Sequence, residues 1–535
     1  MVTIMNYSPL KKAILLAVIC LPIVLKAQNA PKVKPNWQNL DLKTDTVFGI
    51  STEKAYTELL KGKPHVPVLV AVIDGGVDVN HEDLKQVIWN NPGEISANNT
   101  DDDKNGYVDD IHGWDFIGSA NGDVHYDNTE LVRSVHLYTA EFKGKDTSAL
   151  TGKEQSDFYA YQKMRNELNS KIKKARRVFT IITNFNEILN DMVSKMGKSD
   201  PVLADFKSFD PQNNGEEYVK KVVVENLGSY KNFADFRKNE IDEGLKHYSA
   251  QLNYHYNLDY DPRSIVGDNY NDSSEHFYGN NDVTGPDAEH GTHVSGIIGA
   301  VRDNDLGVMG VANDVRIMSV RTVPDGDERD KDVANAIRYA ANNGAKVINM
   351  SFGKSYSFDK KAVDEALKLA MSKDVLVIHA AGNDNQDNDK ELHFPTRVYE
   401  DKSGEAAAWI EVGASGINDD KTLKASFSNY GKTSVDVFAP GVKINSTTPN
   451  STYTSHDGTS MAAPVVSGLA ALIRSYYPKL TALQVKEIIM KSVVKVQHKV
   501  NLKVGDSERK VSFDDLCISG GIVNAYEALK LAATY

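Results

Sequence analysis

Val66-Pro67-Val68-Leu69-Val70-Ala71-Val72-Ile73-Asp74-Gly75-Gly76 is an apolar run that ends at a carboxylate and two glycines. A strand with one wet face alternates apolar and polar residues. A run without polar positions suits a parallel strand covered on both faces. Asp74 then sits at the carboxyl end of the strand, where open α/β sheets gather their ligand-binding and catalytic groups. The pattern recurs downstream. Residues 315–320, 345–351, 375–381, 409–414 and 435–439 read as strands, with helices over 332–343 and 359–372 between them. Such alternation predicts an α/β fold, a mostly parallel sheet covered by helices on both faces.

Two further segments carry chemistry. His290-Gly291-Thr292-His293-Val294-Ser295-Gly296 and Gly458-Thr459-Ser460-Met461-Ala462-Ala463-Pro464 each lead into a small-residue, apolar stretch that reads as a buried helix. Each segment alone has an ordinary structural reading, as a strand end or a helix start. Together they supply a carboxylate, an imidazole and a hydroxyl. A serine hydroxyl becomes nucleophilic at neutral pH when a histidine takes its proton, and a buried carboxylate fixes that histidine's tautomer. Pro464 is tolerated early in its helix, where N–H groups lack partners. The strand over 375–381 leads into Gly382 and Asn383, and a side-chain amide can stabilise a developing oxyanion.

In this order the segments resemble the subtilisin-like serine proteases, the subtilases. The resemblance implies that Asp74 orients His290, that His290 is the base and that Ser460 is the nucleophile. Asn383 and the Ser460 N–H would form the oxyanion hole. Ser351-Phe352-Gly353 resembles the edge strand that pairs with substrate backbone, and with Ala381 and Gly382 it would wall a pocket for apolar or aromatic side chains. The implied function is a secreted serine endopeptidase acting on protein or peptide substrates through an acyl-enzyme. A catalytically silent binding protein of the same fold, acting through an inserted arm, stays open as the alternative. Gly75 departs from the family, where Ser or Thr is frequent and can help hold the carboxylate.

The larger departure is the spacing: 216 positions separate Asp74 from His290, where subtilases usually have a few tens. Tyr161, Leu168, Ala175, Ile182, Leu189 and Met196 recur every seven residues, and Ile172, Phe179 and Val193 suggest a second seam with Asn186 as a polar interruption. That predicts a long helix over about 154–196 packed along a second helical stretch from about 216 to 254, an α-helical hairpin arm. The arm could be decoration, a dimer or partner contact, or a lid. The division expected is a signal peptide at 1–27, an extension at 28–65, catalytic parts at 66–117 and 287–535, and a mainly helical insertion at 118–286.

Asp101-Asp102-Asp103-Lys104-Asn105-Gly106-Tyr107-Val108-Asp109-Asp110 places oxygen donors at alternate positions around a glycine. Five carboxylates within ten residues repel unless a cation neutralises them, so structural Ca²⁺ is expected on Asp101, Asp103, Asn105 and the Tyr107 carbonyl, with Asp109 or Asp110. His112 stands where an EF-hand would have its Glu, so the loop is not an EF-hand. A second calcium site, on Asp83 and Asn304, is implied by the family resemblance alone. His290 and His293 lack a third ligand at a metalloprotease spacing, and His293 reads as a packed structural residue.

The bulk numbers fit a globular protein: 535 residues, 41% hydrophobic and 25% charged. A formal net charge of −12 argues against a nucleic-acid surface. Lys11 and Lys12 precede an apolar stretch over 13–25, too short to span a bilayer comfortably, with Ala27 a cleavage point. The mature chain is expected to be secreted or periplasmic, without a stable membrane span. Once Cys20 leaves with the signal, Cys517 has no intramolecular partner and is expected to be a buried apolar residue.

Overall fold

A computed structural model describes residues 33–505 and 507–535; the expected signal peptide lies outside the described residues. These residues divide into two compact units. One comprises the stretches up to Glu130 and from Asp261 to Tyr535, and the other spans Leu131–Tyr260.

The first unit is built on a nine-stranded sheet. In chain order its strands are β1 (Val68–Asp74), β2 (Gly113–Asp115), β3 (Val315–Arg321), β4 (Val347–Met350), β5 (Leu376–Ala380), β6 (Trp409–Ser415), β7 (Val437–Pro440), β8 (Val494–Lys495) and β9 (Gly521–Ile522). Across the sheet the order is β8-β9-β7-β6-β5-β4-β1-β3-β2. Every pairing is parallel except β8 with β9.

Strand β1 shows why the run at 66–73 has no polar position. Val68, Val70 and Val72 belong to one apolar core, with Val294, Ile297, Ile298 and the helix over Thr459–Tyr476. Ala71 and Ile73 belong to the core on the opposite face, with Val333, Ile337, Leu367 and Trp409. Successive side chains of a strand point to opposite faces, so a strand covered on both faces is apolar at consecutive positions, as β1 is. The covering helices are α1 (Glu289–Gly299) and α2 (Thr459–Tyr476) on one side, and the mutually packed helices over Asp330–Asn342 and Lys360–Ser372 on the other.

Residues 118–130 and 261–286, placed within the insertion on sequence, lie in the first unit. Charge pairs hold them there. Arg263 Nη1 is 2.6 Å from Asp332 Oδ2, Arg329 Nε is 2.7 Å from Asp127 Oδ2, and Lys331 Nζ is 2.6 Å from Asp268 Oδ2. All six side chains are buried or nearly so, and a buried charge requires such partners.

The second unit is helical. Its long helix spans Gly152–Met196, 45 residues, closed by Gly197 in the left-handed region. Tyr161, Leu168, Ala175, Ile182 and Leu189 are buried, as their spacing of seven predicts. Phe179 and Val193 of the expected second seam pack partly buried against the core, and Met164, Val178, Phe185 and Met192, three residues after the first seam, are more deeply buried. Asn186, the polar interruption of that side, and Asn190 one turn on make polar contacts. Both accept hydrogen bonds from Arg237, at 3.3 and 2.6 Å, which turns their side of the helix toward a polar partner. The return stretch is helical but broken into Asn214–Asn226, Phe233–Arg237 and Glu243–Ala250, joined by tighter and wider turns. Val219, Val223, Phe236 and Tyr248 from these pieces pack on the long helix's seam.

Candidate active site

Asp74 ends β1 and His290 lies in the first turn of α1. His290 Nδ1 lies 2.8 and 2.9 Å from the two carboxylate oxygens of Asp74, which is 2% exposed. A carboxylate only accepts, so Nδ1 carries the proton and the neutral ring keeps its lone pair on Nε2. That Nε2 is buried and has no hydrogen-bond partner among the described residues. Although position 75 has no hydroxyl, its backbone N–H holds the carboxylate: Gly75 N–H donates to Asp74 Oδ1 at 2.8 Å.

Two glycines allow the approach of strand and helix. A side chain on Gly291 would put its Cβ 2.2 Å from the Gly76 carbonyl oxygen and 3.1 Å from Asp74 Cβ. Gly76 has φ +133°, and its own Cβ would lie 2.1 Å from the Thr284 carbonyl oxygen. Neither position accepts a larger residue without backbone movement.

Ser460 occupies the first turn of α2 and is 9% exposed. Its Oγ donates to the Ser351 carbonyl at 3.1 Å, and Ser351 Oγ donates back to the Ser460 carbonyl at 3.0 Å. In this arrangement the serine hydroxyl is held on the edge segment rather than on His290. Asn383 is fixed by its oxygen, which accepts from Thr459 N at 2.8 Å and Thr459 Oγ1 at 3.0 Å. Its Nδ2 is thereby left as the outward donor. A Cβ built on Gly458 would lie 3.5 Å from Ser460 N and 3.7 Å from Asn383 Nδ2, so the two nitrogens lie near one point.

His293, the second histidine of its segment, is fully buried with Nε2 3.1 Å from the Thr454 carbonyl. Burial, reinforced by His456, holds its pKa well below the ordinary value and keeps the ring neutral. The packed structural role expected from sequence matches this position.

Gly353 and Gly382 lie against one ring that sequence reasoning missed, while Ser351 is bonded to Ser460 and the Ala381 carbonyl accepts from Asn388 and Asn429. A Cβ on Gly353 would meet His393 Cε1 at 2.2 Å, and one on Gly382 would lie 3.1 Å from His393 Nε2. The Lys354–Phe394 backbone pair sets His393 there. Burial, with His379 close by, pushes the His393 pKa down to about 4, so the ring is neutral at pH 7. Phe352 turns away into the core with Trp409 and Tyr399. A single histidine in an irregular stretch gives no pattern from which this placement could be read.

The acidic loop converges only in part. Asp101, Asp103 and Glu94 each offer a carboxylate oxygen within 4.8 Å of the others; Glu94 was not anticipated. Asn105 lies alongside and donates to Asp103 and Asp110 at 3.1 and 3.0 Å. The Tyr107 ring packs against Trp114 and Tyr339. Asp109 turns its carboxylate to the Asn98 and Asn99 amides at 3.2 and 2.8 Å. Asp110 is buried and accepts from Asn91, Asn105 and the Tyr339 hydroxyl, and burial pushes its pKa up to about 6. Asp83 and Asn304 also meet: Asn304 Nδ2 donates to Asp83 Oδ1 at 2.7 Å, and Val308 N–H to Asp83 Oδ2 at 3.1 Å.

Residues 67–508 match the model of the Subtilase family, and the chain belongs to that family. Its enzyme class is that of the serine-type endopeptidases. Subtilisin BL of Lederbergia lenta is 36% identical over 198 residues, which are 37% of this chain and 67% of that protein. Subtilisin DY of Bacillus licheniformis is 38% identical over the same length and shares. A thermophilic serine proteinase of Bacillus sp. (strain AK1) is 42% identical over 187 residues, 35% of this chain and 42% of that protein.

Gly291→Ala is expected to lower unfolding free energy by about 1–3 kcal/mol, the usual cost of overpacking, because the added carbon meets backbone. Urea unfolding followed by circular dichroism measures it; an unchanged midpoint contradicts the close approach described.

Proposed function

We propose that this protein hydrolyses peptide bonds through Asp74, His290 and Ser460, with Asn383 Nδ2 and the Ser460 N–H as the oxyanion donors. The observation that carries the reading is the buried Asp74 bonded to His290 Nδ1, which leaves a lone pair on Nε2. A turn of the Ser460 side chain away from the Ser351 carbonyl would present Oγ to that lone pair. His290 then takes the hydroxyl proton as Oγ attacks the carbonyl carbon, and Asp74 steadies the imidazolium. The oxygen that becomes negative enters the space shared by Asn383 Nδ2 and Ser460 N. Collapse breaks the C–N bond, His290 protonates the departing amine, and water repeats the sequence on the acyl-enzyme.

Gly353 and Gly382 supply walls without side chains, and His393 between them is neutral at pH 7, which favours apolar or aromatic residues before the cleaved bond. Asp384, Asp387 and Asp389 follow Asn383 closely and would favour basic residues instead if their carboxylates faced the pocket. Asp387 pairs with Lys390 at 2.6 Å, and Asp389 is held by Thr433 and Ser434. Proteins or peptides outside the cytoplasm are the substrates, in keeping with the basic and apolar N-terminal stretch. Among the described residues no helix is long and apolar enough to cross a membrane.

Calcium fits the loop at 94–105. Glu94, Asp101 and Asp103 converge, and a hard cation would draw on their oxygens with Asn105 beside them. The second reading, a silent binding protein, is favoured by one observation: the Ser460 hydroxyl is engaged by Ser351.

On a peptide substrate with Phe before the cleaved bond, Ser460→Ala is expected to reduce turnover to background. Asn383→Ala should lower kcat by about 10²–10³ with KM little changed. Stopped assays of the purified variants check both; equal rates in Ser460→Ala and parent would refute the reading. Chelation is expected to lower the thermal midpoint of the parent, and Asp103→Ala should lower the midpoint in calcium buffer and abolish the response to chelator. Differential scanning calorimetry with and without EGTA reads this.

A further inference from the structure

Behind Gly353 and Gly382 lies a cluster that the proposed reaction does not use. His379 on β5 and Glu411 on β6 are register partners in adjacent parallel strands, so their side chains emerge on the same face. His379 Nδ1 lies 3.0 Å from both Glu411 oxygens, and Trp409 Nε1 donates to Glu411 Oε2 at 2.9 Å. His379 is fully buried, and its Nε2 has no hydrogen-bond partner among the described residues. His393 Nδ1 is in the same condition. The two rings are 5.7 Å apart between centroids, and no hydrogen bond joins them. One ligating atom from each of His379, His393 and Glu411 lies within 4.8 Å of the other two.

The donor chemistry is specific. Glu411 accepts from His379 Nδ1–H, and an ion bound to that carboxylate would take the place of this proton, with Nδ1 as the ligating nitrogen. Buried polar atoms left unpartnered are costly, and His393, whose Nδ1 is one of them, offers a ligating nitrogen within 4.8 Å of the other two donors. Two nitrogens and a carboxylate suit a borderline divalent ion of the zinc type, which takes imidazole and carboxylate ligands. They do not suit calcium, which takes oxygen.

We propose that His379, His393 and Glu411 form a site for one divalent transition-metal ion of the zinc class, distinct from the acidic loop. His393 links this site to the pocket, because its ring lies against both glycine walls. An ion bound there fixes the ring and hence the room for a substrate side chain; that consequence, though not the binding, rests on the protease reading.

The test uses the Ser460→Ala protein in calcium buffer, so that its result does not depend on catalysis. Co²⁺ titration followed by visible absorption, and equilibrium dialysis against Zn²⁺ with metal analysis, should show one ion bound per chain. His393→Ala and His393→Gln should each weaken binding at least ten-fold, with circular dichroism confirming the fold. Absence of saturable Zn²⁺ binding would overturn the proposal and assign the two nitrogens to a bridging water. Binding unchanged in both variants would overturn it by placing the ion elsewhere. Failure of the protease reading would show instead in the turnover assays of the parent.

Discussion

The contact between Asp74 and His290 is the constraint on which the first unit depends. It joins the end of a central strand to the start of a helix that lies on one face of the sheet. Gly76 and Gly291 exist at that junction because the backbones approach too closely for any Cβ. The strand beneath is buried on both faces, so the carboxylate is presented from a frame that cannot shift without disturbing two cores. The imidazole receives a fixed tautomer as a result. A low-dielectric surrounding strengthens the bond and makes any loss of partner expensive.

The edge segment around Ser351 has two roles in this frame. Its carbonyl holds the Ser460 hydroxyl, and its glycine walls the space occupied by His393. Asn429 secures the facing segment, donating to the Ala381 carbonyl at 2.9 Å and accepting from Asp384 and Gln386 N–H at 3.0 and 2.9 Å. Substrate would therefore meet two rigid backbones and one neutral ring, while the serine makes the single movement required.

Much of this was legible in the sequence because it follows from local periodicity. Predominantly apolar runs mark strands buried twice, and β1, β3, β5 and β6 all lie within two residues of the expected bounds. The seven-residue repeat likewise marked the first seam of the long helix. What escaped was set by tertiary partners. The partner of Asn186 and Asn190 is Arg237, which reaches them from a helix far along the chain. Glu94 joins Asp101 and Asp103 only through a loop that folds back. His379 reads as an ordinary strand residue, and only the register with Glu411 and the return of the chain at His393 reveals the cluster. Asp109, which alternates correctly in the acidic loop, is turned aside by the Asn98 and Asn99 amides.

The central claim is that Ser460 is a nucleophile activated by His290. Reaction of the purified parent with a fluorophosphonate, read as intact mass and then by peptide mapping, tests it most directly. The account predicts a single adduct located on Ser460, formed far more slowly in Asp74→Asn. An adduct on another serine, or no adduct in calcium buffer with the fold intact, would contradict it.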